Sequence, residues 1–357
     1  MVTGDGLSGV IRKHYAKPIL YIAVTILLIA NTINIGADLG AMASAGQLLI
    51  GIPFIFWLVG ITIVSLLLQI FVPYPSYARF LKYLTFALFA YIVTAFIIKQ
   101  DWRAIGLATI IPAFSFNTNY LLNIVAILGT TISPYLFFWQ ADEEVEEEIE
   151  HHQLRAMGKG IPHITSRDIR DMRLDTIVGM LFSNLVMWFI IVTTASTLFV
   201  HGITNIETAD QAAQVLRPLA GDFAYILFAA GIIGTGLLAV PILAGSAAYA
   251  LGEALNWQVG LNKKYNQAQG FYLIIAVSTI VGLLVNFSSI KPFTMLYYTA
   301  ILNGIAAPPL MALILLIGNN KKIMREHTNS WFSNIFGWII TGVMGIAAIA
   351  LIATINL

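Results

Sequence analysis

Seven residues, Gly129-Thr130-Thr131-Ile132-Ser133-Pro134-Tyr135, stand in the middle of an apolar stretch and can interrupt a helix. Proline lacks an N–H and its ring collides with the preceding turn, so the helix breaks or kinks there. In membrane carriers such breaks sit at the bilayer midplane, where unwound carbonyls and half-helix ends coordinate ions; an ordinary proline kink is the plainer alternative. Asn31, Asn34 and Asp38 recur at helical spacing and form a polar stripe, with Asp38 the only acid deep in its segment. A carboxylate inside a bilayer is costly and mostly faces a cavity or an ion path, while amides serve equally well as bonds between helices. Asn303, followed by Gly304 and Pro308-Pro309, is expected to face a pathway from an irregular helix. In the acidic run from Asp142 to Glu150, Val145 and Ile149 fall four apart, which predicts an exposed helical continuation into solvent. A second reading has those carboxylates drawing cations toward an inner vestibule. His151 and His152 project about 100° apart on a helix and make a poor chelating pair.

The elements that position these residues must cross a bilayer. Of 357 residues 58% are hydrophobic and 10% charged, against about 25% charged in a soluble domain. Nine apolar segments are long enough to span: 18–48, 50–73, 76–99, 117–140, 174–200, 218–252, 269–288, 292–317 and 332–356. They carry no strand-like alternation, so the fold class is all-α, a polytopic helical bundle in one domain without linkers. A net charge of +1 excludes a nucleic-acid binder, and zero cysteines exclude disulfides and thiolate metal sites. With no nucleotide-binding loop, Ser/His/Asp arrangement or His-Glu-x-x-His motif, neither an enzyme nor a nucleotide-driven pump is expected, and no cofactor is expected. The expected partners are the lipid bilayer and a transported solute.

Positive charge sets the orientation. With Met1 to Lys17 cytoplasmic, fifteen Lys and Arg residues fall inside, among them Arg79, Lys82, Arg155 and Lys263, against Lys99, Arg103, Arg217 and Lys291 outside. The loops after spans two, four, six and eight are then cytoplasmic in a multi-pass protein of the cell membrane. Met1 to Gly9 lacks the features of a signal peptide and reads as a loop leaving a preceding helix.

Asp38-Leu39-Gly40-Ala41, the stretch from Gly129 to Tyr135 with its acidic continuation, and the pattern of loops resemble the Nramp divalent-metal transporters, in particular their Nramp-related branch. The resemblance covers the whole chain. It implies the LeuT-type fold, two inverted five-helix repeats plus one helix, with nine of eleven spans present here. Residues 1–116 would be the remainder of the first repeat, 117–317 the second, and 332–356 the extra helix. Met1 to Asp5 resembles the turn after the family's second helix, so the sequence is expected to lack two N-terminal helices. Because the first of these supplies half of the family's ion site, the chain as written is expected neither to hold metal tightly nor to transport, although a full-length product could.

The resemblance further implies a divalent cation as substrate, with the Thr130 carbonyl and Ser133 as metal ligands. Thr131, Pro134, Tyr135, Asp38 and Asn303 would line the pathway. Typical members have Met-Pro-His at the break, where this chain has Ser133-Pro134-Tyr135. A thioether favours transition metals and a hydroxyl suits hard ions, so the expectation is Mg²⁺ and Mn²⁺ rather than selectivity against Mg²⁺, with Fe²⁺ a further possibility. Tyr135 does not titrate near neutrality as histidine does, and Ala41 replaces an acid of the family's proton path, which puts proton coupling in doubt. Two rivals stay open: an organic-solute carrier of the same fold, such as one for amino acids, and a fragment without transport activity.

Overall fold

The computed structural model describes residues 1–72, 76, 79, 83–84, 86–111, 114–115, 117–162 and 164–355. Its longer helices are α1 (Leu7–His14), α2 (Lys17–Ile50), α3 (Phe54–Phe71), α4 (Phe89–Ile97), α5 (Trp102–Ile110), α6 (Thr118–Thr131), α7 (Pro134–Glu150), α8 (Ser166–Thr197), α9 (Ala224–Ala254), α10 (Gln269–Val285), α11 (Pro292–Gly318) and α12 (Trp331–Ile355). Among the described residues seven stretches are long and apolar enough to cross a membrane, and they coincide with seven of the nine expected spans. α10 is apolar but only 17 residues long. Of the expected span 76–99, α4 is described, whereas positions 77–78, 80–82 and 85, Lys82 included, lie outside the described residues, as do residues 73 and 356.

α2 is the axis of the bundle. Apart from the Asn31, Asn34 and Asp38 stripe it is largely apolar, its middle, from Ala30 to Gly46, is mostly buried, and it packs against α3, α9, α10 and α11. Ile35, Leu39 and Met42 of α2 meet Val240, Leu243 and Ala244 of α9 and Phe271 and Ile275 of α10 in the main core. Pro18 opens α2, and Gly51, at φ 55°, closes it in the left-handed conformation that glycine adopts without strain. α8 stands at the periphery with Leu174, Ile177, Leu181 and Phe182 exposed, as lipid-facing residues are. Thr165 accepts from the Asp168 N–H while the Asp168 carboxylate accepts from the Thr165 N–H. That capping box starts α8 at Ser166, eight residues ahead of the apolar stretch expected from 174, and carries Arg167, Arg170 and Arg173 on exposed turns.

Three local expectations are corrected. Residues 7–9, read as loop, form the first turn of α1, whose start is anchored by the Gly6 and Gly9 N–H groups donating to Glu253. α11 runs unbroken through Pro308 and Pro309 instead of turning irregular; in a membrane helix, neighbouring helices and side chains satisfy the groups a proline frees. The acidic helix does continue the fourth span, but it is not an exposed face: Asp142, Val145, Glu146 and Glu148 are buried. α1 and α9 both pack on α7 and cover that side.

Candidate functional site

The fourth span is two helices. α6 ends at Thr131, α7 begins at Pro134, and Ile132 and Ser133 between them are non-helical, with φ/ψ of −121°/76° and −86°/127°. Pro134 has no N–H to return to the Thr130 carbonyl. The Ser133 hydroxyl caps the end instead, donating to the Gly129 carbonyl at 3.0 Å and lying 3.4 Å from that of Thr130. Thr131 turns its hydroxyl back to the Ile127 and Leu128 carbonyls at 3.0 and 2.9 Å. Among the described residues no backbone N–H reaches the Thr131 or Ile132 carbonyl across the break. The negative end of the α6 dipole thus carries the Thr131 and Ile132 carbonyls beside the buried Ser133 hydroxyl, an arrangement suited to a cation. Among the described residues no group of three or more His, Cys, Asp or Glu side chains is placed to hold a metal.

The break is pinned from two sides. Gly129 touches α11 backbone to backbone: a Cβ there would stand 2.0 Å from the Ala300 carbonyl oxygen and 2.3 Å from the Gly304 nitrogen. Gly304 in turn leaves no room against the Val125 carbonyl, at 2.3 Å. On the α7 side, the Ser246 hydroxyl of α9 donates to the Tyr135 carbonyl at 3.0 Å. Asp38 of α2 lies within electrostatic reach of the Tyr135 phenol and is partly exposed.

The structure thus draws together residues far apart in sequence, though not all in the same manner. Thr130, Thr131, Ser133, Pro134 and Tyr135 form the break itself, with Asp38 across from it. Asn303 is buried and exchanges hydrogen bonds with Asn34 at 3.0 and 3.4 Å, so its side chain joins α11 to α2 one turn from Asp38. Asn31 donates to the Leu243 carbonyl at 2.9 Å. The two asparagines of the stripe act as bonds between helices, and Asp38 is its one member without such a bond among the described residues.

A polar cluster that the sequence concealed closes the end of the bundle where α2 starts. Asp142 is fully buried, and neither of its carboxylate oxygens has a hydrogen-bond partner among the described residues. A Cβ on Gly6 would lie 1.7 Å from one Asp142 oxygen and 2.6 Å from both Glu253 oxygens, so the two carboxylates face each other across that glycine. Glu146 accepts from the Tyr249 hydroxyl and from Asn262, each at 3.1 Å. The signal available was spacing: Asp142, Val145 and Glu146 share one helical face, and Gly6 and Gly9 offer bare N–H groups at helical spacing.

Comparison with known proteins agrees with this picture. Residues 1–354 match the model of the Nramp family, described as natural resistance-associated macrophage protein-like. The chain is similar to the divalent metal cation transporter MntH of Clostridium acetobutylicum, 23% identical over 70% of this chain and 53% of the relative. It resembles the MntH of Deinococcus radiodurans at 23% identity over 96% of this chain and 75% of that one. The match thus spans about half the length of the Clostridium relative. In three dimensions it superposes on the Eremococcus coleocola manganese transporter, crystallised with an aromatic bis-isothiourea compound, with a TM-score of 0.71 at 16% identity, covering 98% of this chain and 74% of that chain. The bundle has the same fold, the LeuT type.

Proposed function

We infer function from one premise: the chain belongs to the Nramp family. The reading is transport of divalent metal cations across a membrane by alternating access, with the cation bound at the break between α6 and α7 and a rocking bundle exposing that point to each side in turn. The observation that carries this reading is the pair of helix ends at Thr131 and Pro134, with carbonyls left open between them. The Thr130 carbonyl and Ser133 are the proposed ligands, and Thr131, Pro134, Tyr135, Asp38 and Asn303 border the path. Residues 1–116 are read as the remainder of the first repeat and 117–317 as the second, with 332–356 as an added helix, and the N-terminus is read as cytoplasmic.

Hydroxyl and carbonyl oxygens are hard ligands, so the site admits Mg²⁺ as well as Mn²⁺. Tyr135 and Ala41 remove two groups that the family resemblance would place on a proton path, and transport is read as uncoupled from protons. The test is Mn²⁺ uptake into dye-loaded proteoliposomes by the product of the complete gene. Excess Mg²⁺ should suppress Mn²⁺ flux, and Ser133→Met should relieve that suppression. Flux indifferent to Mg²⁺ overturns the selectivity reading, acidification of the lumen in step with uptake overturns the uncoupled one, and inhibition by amino acids points to an organic-solute carrier instead.

A further inference from the structure

A cavity of about 410 Å³ opens at the end of the bundle where α2 starts, and its walls come from three separate stretches of chain: α1, the segment after α7 and the segment after α9. Its two carboxylates are already committed. Both Asp5 oxygens accept from the Lys13 ammonium, at 2.8 and 2.6 Å. The Glu253 oxygens accept from the Gly6 and Gly9 N–H groups, each at 2.9 Å. The donors are not committed. Arg12, Lys159 and Lys263 line the same cavity, one from each stretch, and none of the three side chains has a hydrogen bond or ion pair among the described residues. Glu146, the carboxylate that acts on Lys263 from outside the cavity, is occupied by Tyr249 and Asn262. The amides of Asn256 and Gln258 add further donors to the wall.

A cavity whose carboxylates are already hydrogen-bonded, and whose three cations make no hydrogen bond among the described residues although Arg12 acts on Glu253 at a distance, suits an anion that offers several oxygens at once. We propose that it binds a phosphate group, held by Arg12, Lys159 and Lys263. Guanidinium and ammonium together suit phosphate, the first through paired N–H bonds and the second as a point charge. Burial, reinforced by Lys159, holds the Lys263 ammonium below its ordinary range against the pull of Glu146; a bound anion reverses that. By tying α1 to the segments that follow α7 and α9, the phosphate fastens this end of the bundle. The proposal stands apart from the transport reading, since none of these residues belongs to the break.

Two sources share the chemistry, a soluble phosphate and the headgroup of an anionic lipid, and lysine acylation read by peptide mass spectrometry separates them. The full chain is placed in phosphatidylcholine nanodiscs with inorganic phosphate or with chloride at matched ionic strength, and in phosphatidylglycerol nanodiscs with chloride. Lys321 and Lys322 are the internal references. Several-fold slower acylation of Lys159 and Lys263 relative to those references is expected in at least one arm. Protection by inorganic phosphate identifies the soluble source, and protection only in phosphatidylglycerol identifies the lipid. Equal rates in all three arms overturn the proposal, as does protection that persists undiminished in Arg12→Gln.

Discussion

A side chain on Gly129 has nowhere to go. With backbone atoms of Ala300 and Gly304 at 2.0 and 2.3 Å from where its Cβ would stand, Gly129→Ala must push α6 and α11 apart. Overpacking of that kind costs about 1–3 kcal/mol. Gly60 is the control, since a Cβ there meets open space. Thermal unfolding in detergent should show Gly129→Ala well below wild type and Gly60→Ala beside it; equal midpoints for the two would mean that the close approach is not a constraint. The Asp142–Glu253 pair predicts an asymmetry of another kind. Asp142 is buried without a donor, so Asp142→Asn keeps its shape and supplies an N–H toward Glu253, and stability should hold or rise by about 1 kcal/mol. Glu253→Gln leaves one oxygen for the two N–H groups of Gly6 and Gly9 and should cost about 1–3 kcal/mol. Chemical denaturation of the two variants checks the pair, and a larger loss in Asp142→Asn would refute the asymmetry. Neither contact was legible in sequence, because each depends on which backbone meets which across the bundle.

At the scale of helices, sequence reading succeeded where one local rule decides the outcome. Pro134 removes a donor and crowds the preceding turn, and α6 does end at Thr131, three residues before it. Pro308 and Pro309 obey the same rule in sequence, yet α11 continues; the difference lies in neighbours that no local pattern records. The acidic run of α7 misled for a related reason. Its composition describes a solvated face, while its burial is set by α1 and α9, which arrive from distant positions. The break itself gives a prediction. Pro134→Ala restores an N–H that can return to the Thr130 carbonyl and heal the helix. Thermal stability should rise, by up to about 3 kcal/mol, while divalent-cation flux falls about tenfold or more, the loss of roughly 1.4 kcal/mol of binding at the site. Opposite movement of the two readouts marks a break maintained for function, whereas Pro134→Ala that leaves flux intact reduces it to a packing kink.

The two ends of the whole molecule are fastened differently. Where α2 starts, buried hydrogen bonds to Glu253 and Glu146 gather α1, α7, α9 and the segment after α9. Where α2 finishes, a cavity of about 360 Å³ beside Ser44, Gln47 and Leu48 is bridged by the ion pair of Glu207 with Lys291, at the start of α11. Lys291 is open to solvent and Glu207 partly so, and exposed pairs are weak fasteners. The end read as cytoplasmic is thus fastened by buried hydrogen bonds, and the far end by this ion pair together with the apolar packing of Leu48 and Phe293 against Ala209 and Leu216. Lys291 beside Glu207 keeps that carboxyl below its ordinary range, which is about 4.3 for glutamate. A lowered carboxyl stabilises the folded state above its unfolded value and loses that contribution as acid takes the pH down through the folded value. The chain has no cysteine, so Ser44→Cys introduces a single reporter in the wall of the outer cavity. At neutral pH, adding Glu207→Gln should raise its labelling rate by a membrane-impermeant thiol reagent. The thermal midpoint of wild type should exceed that of Glu207→Gln at neutral pH, and the gap should shrink as the pH is taken below about 4. A labelling rate unchanged by Glu207→Gln would place the resistance to outward opening in the packing of α2 against α11 instead.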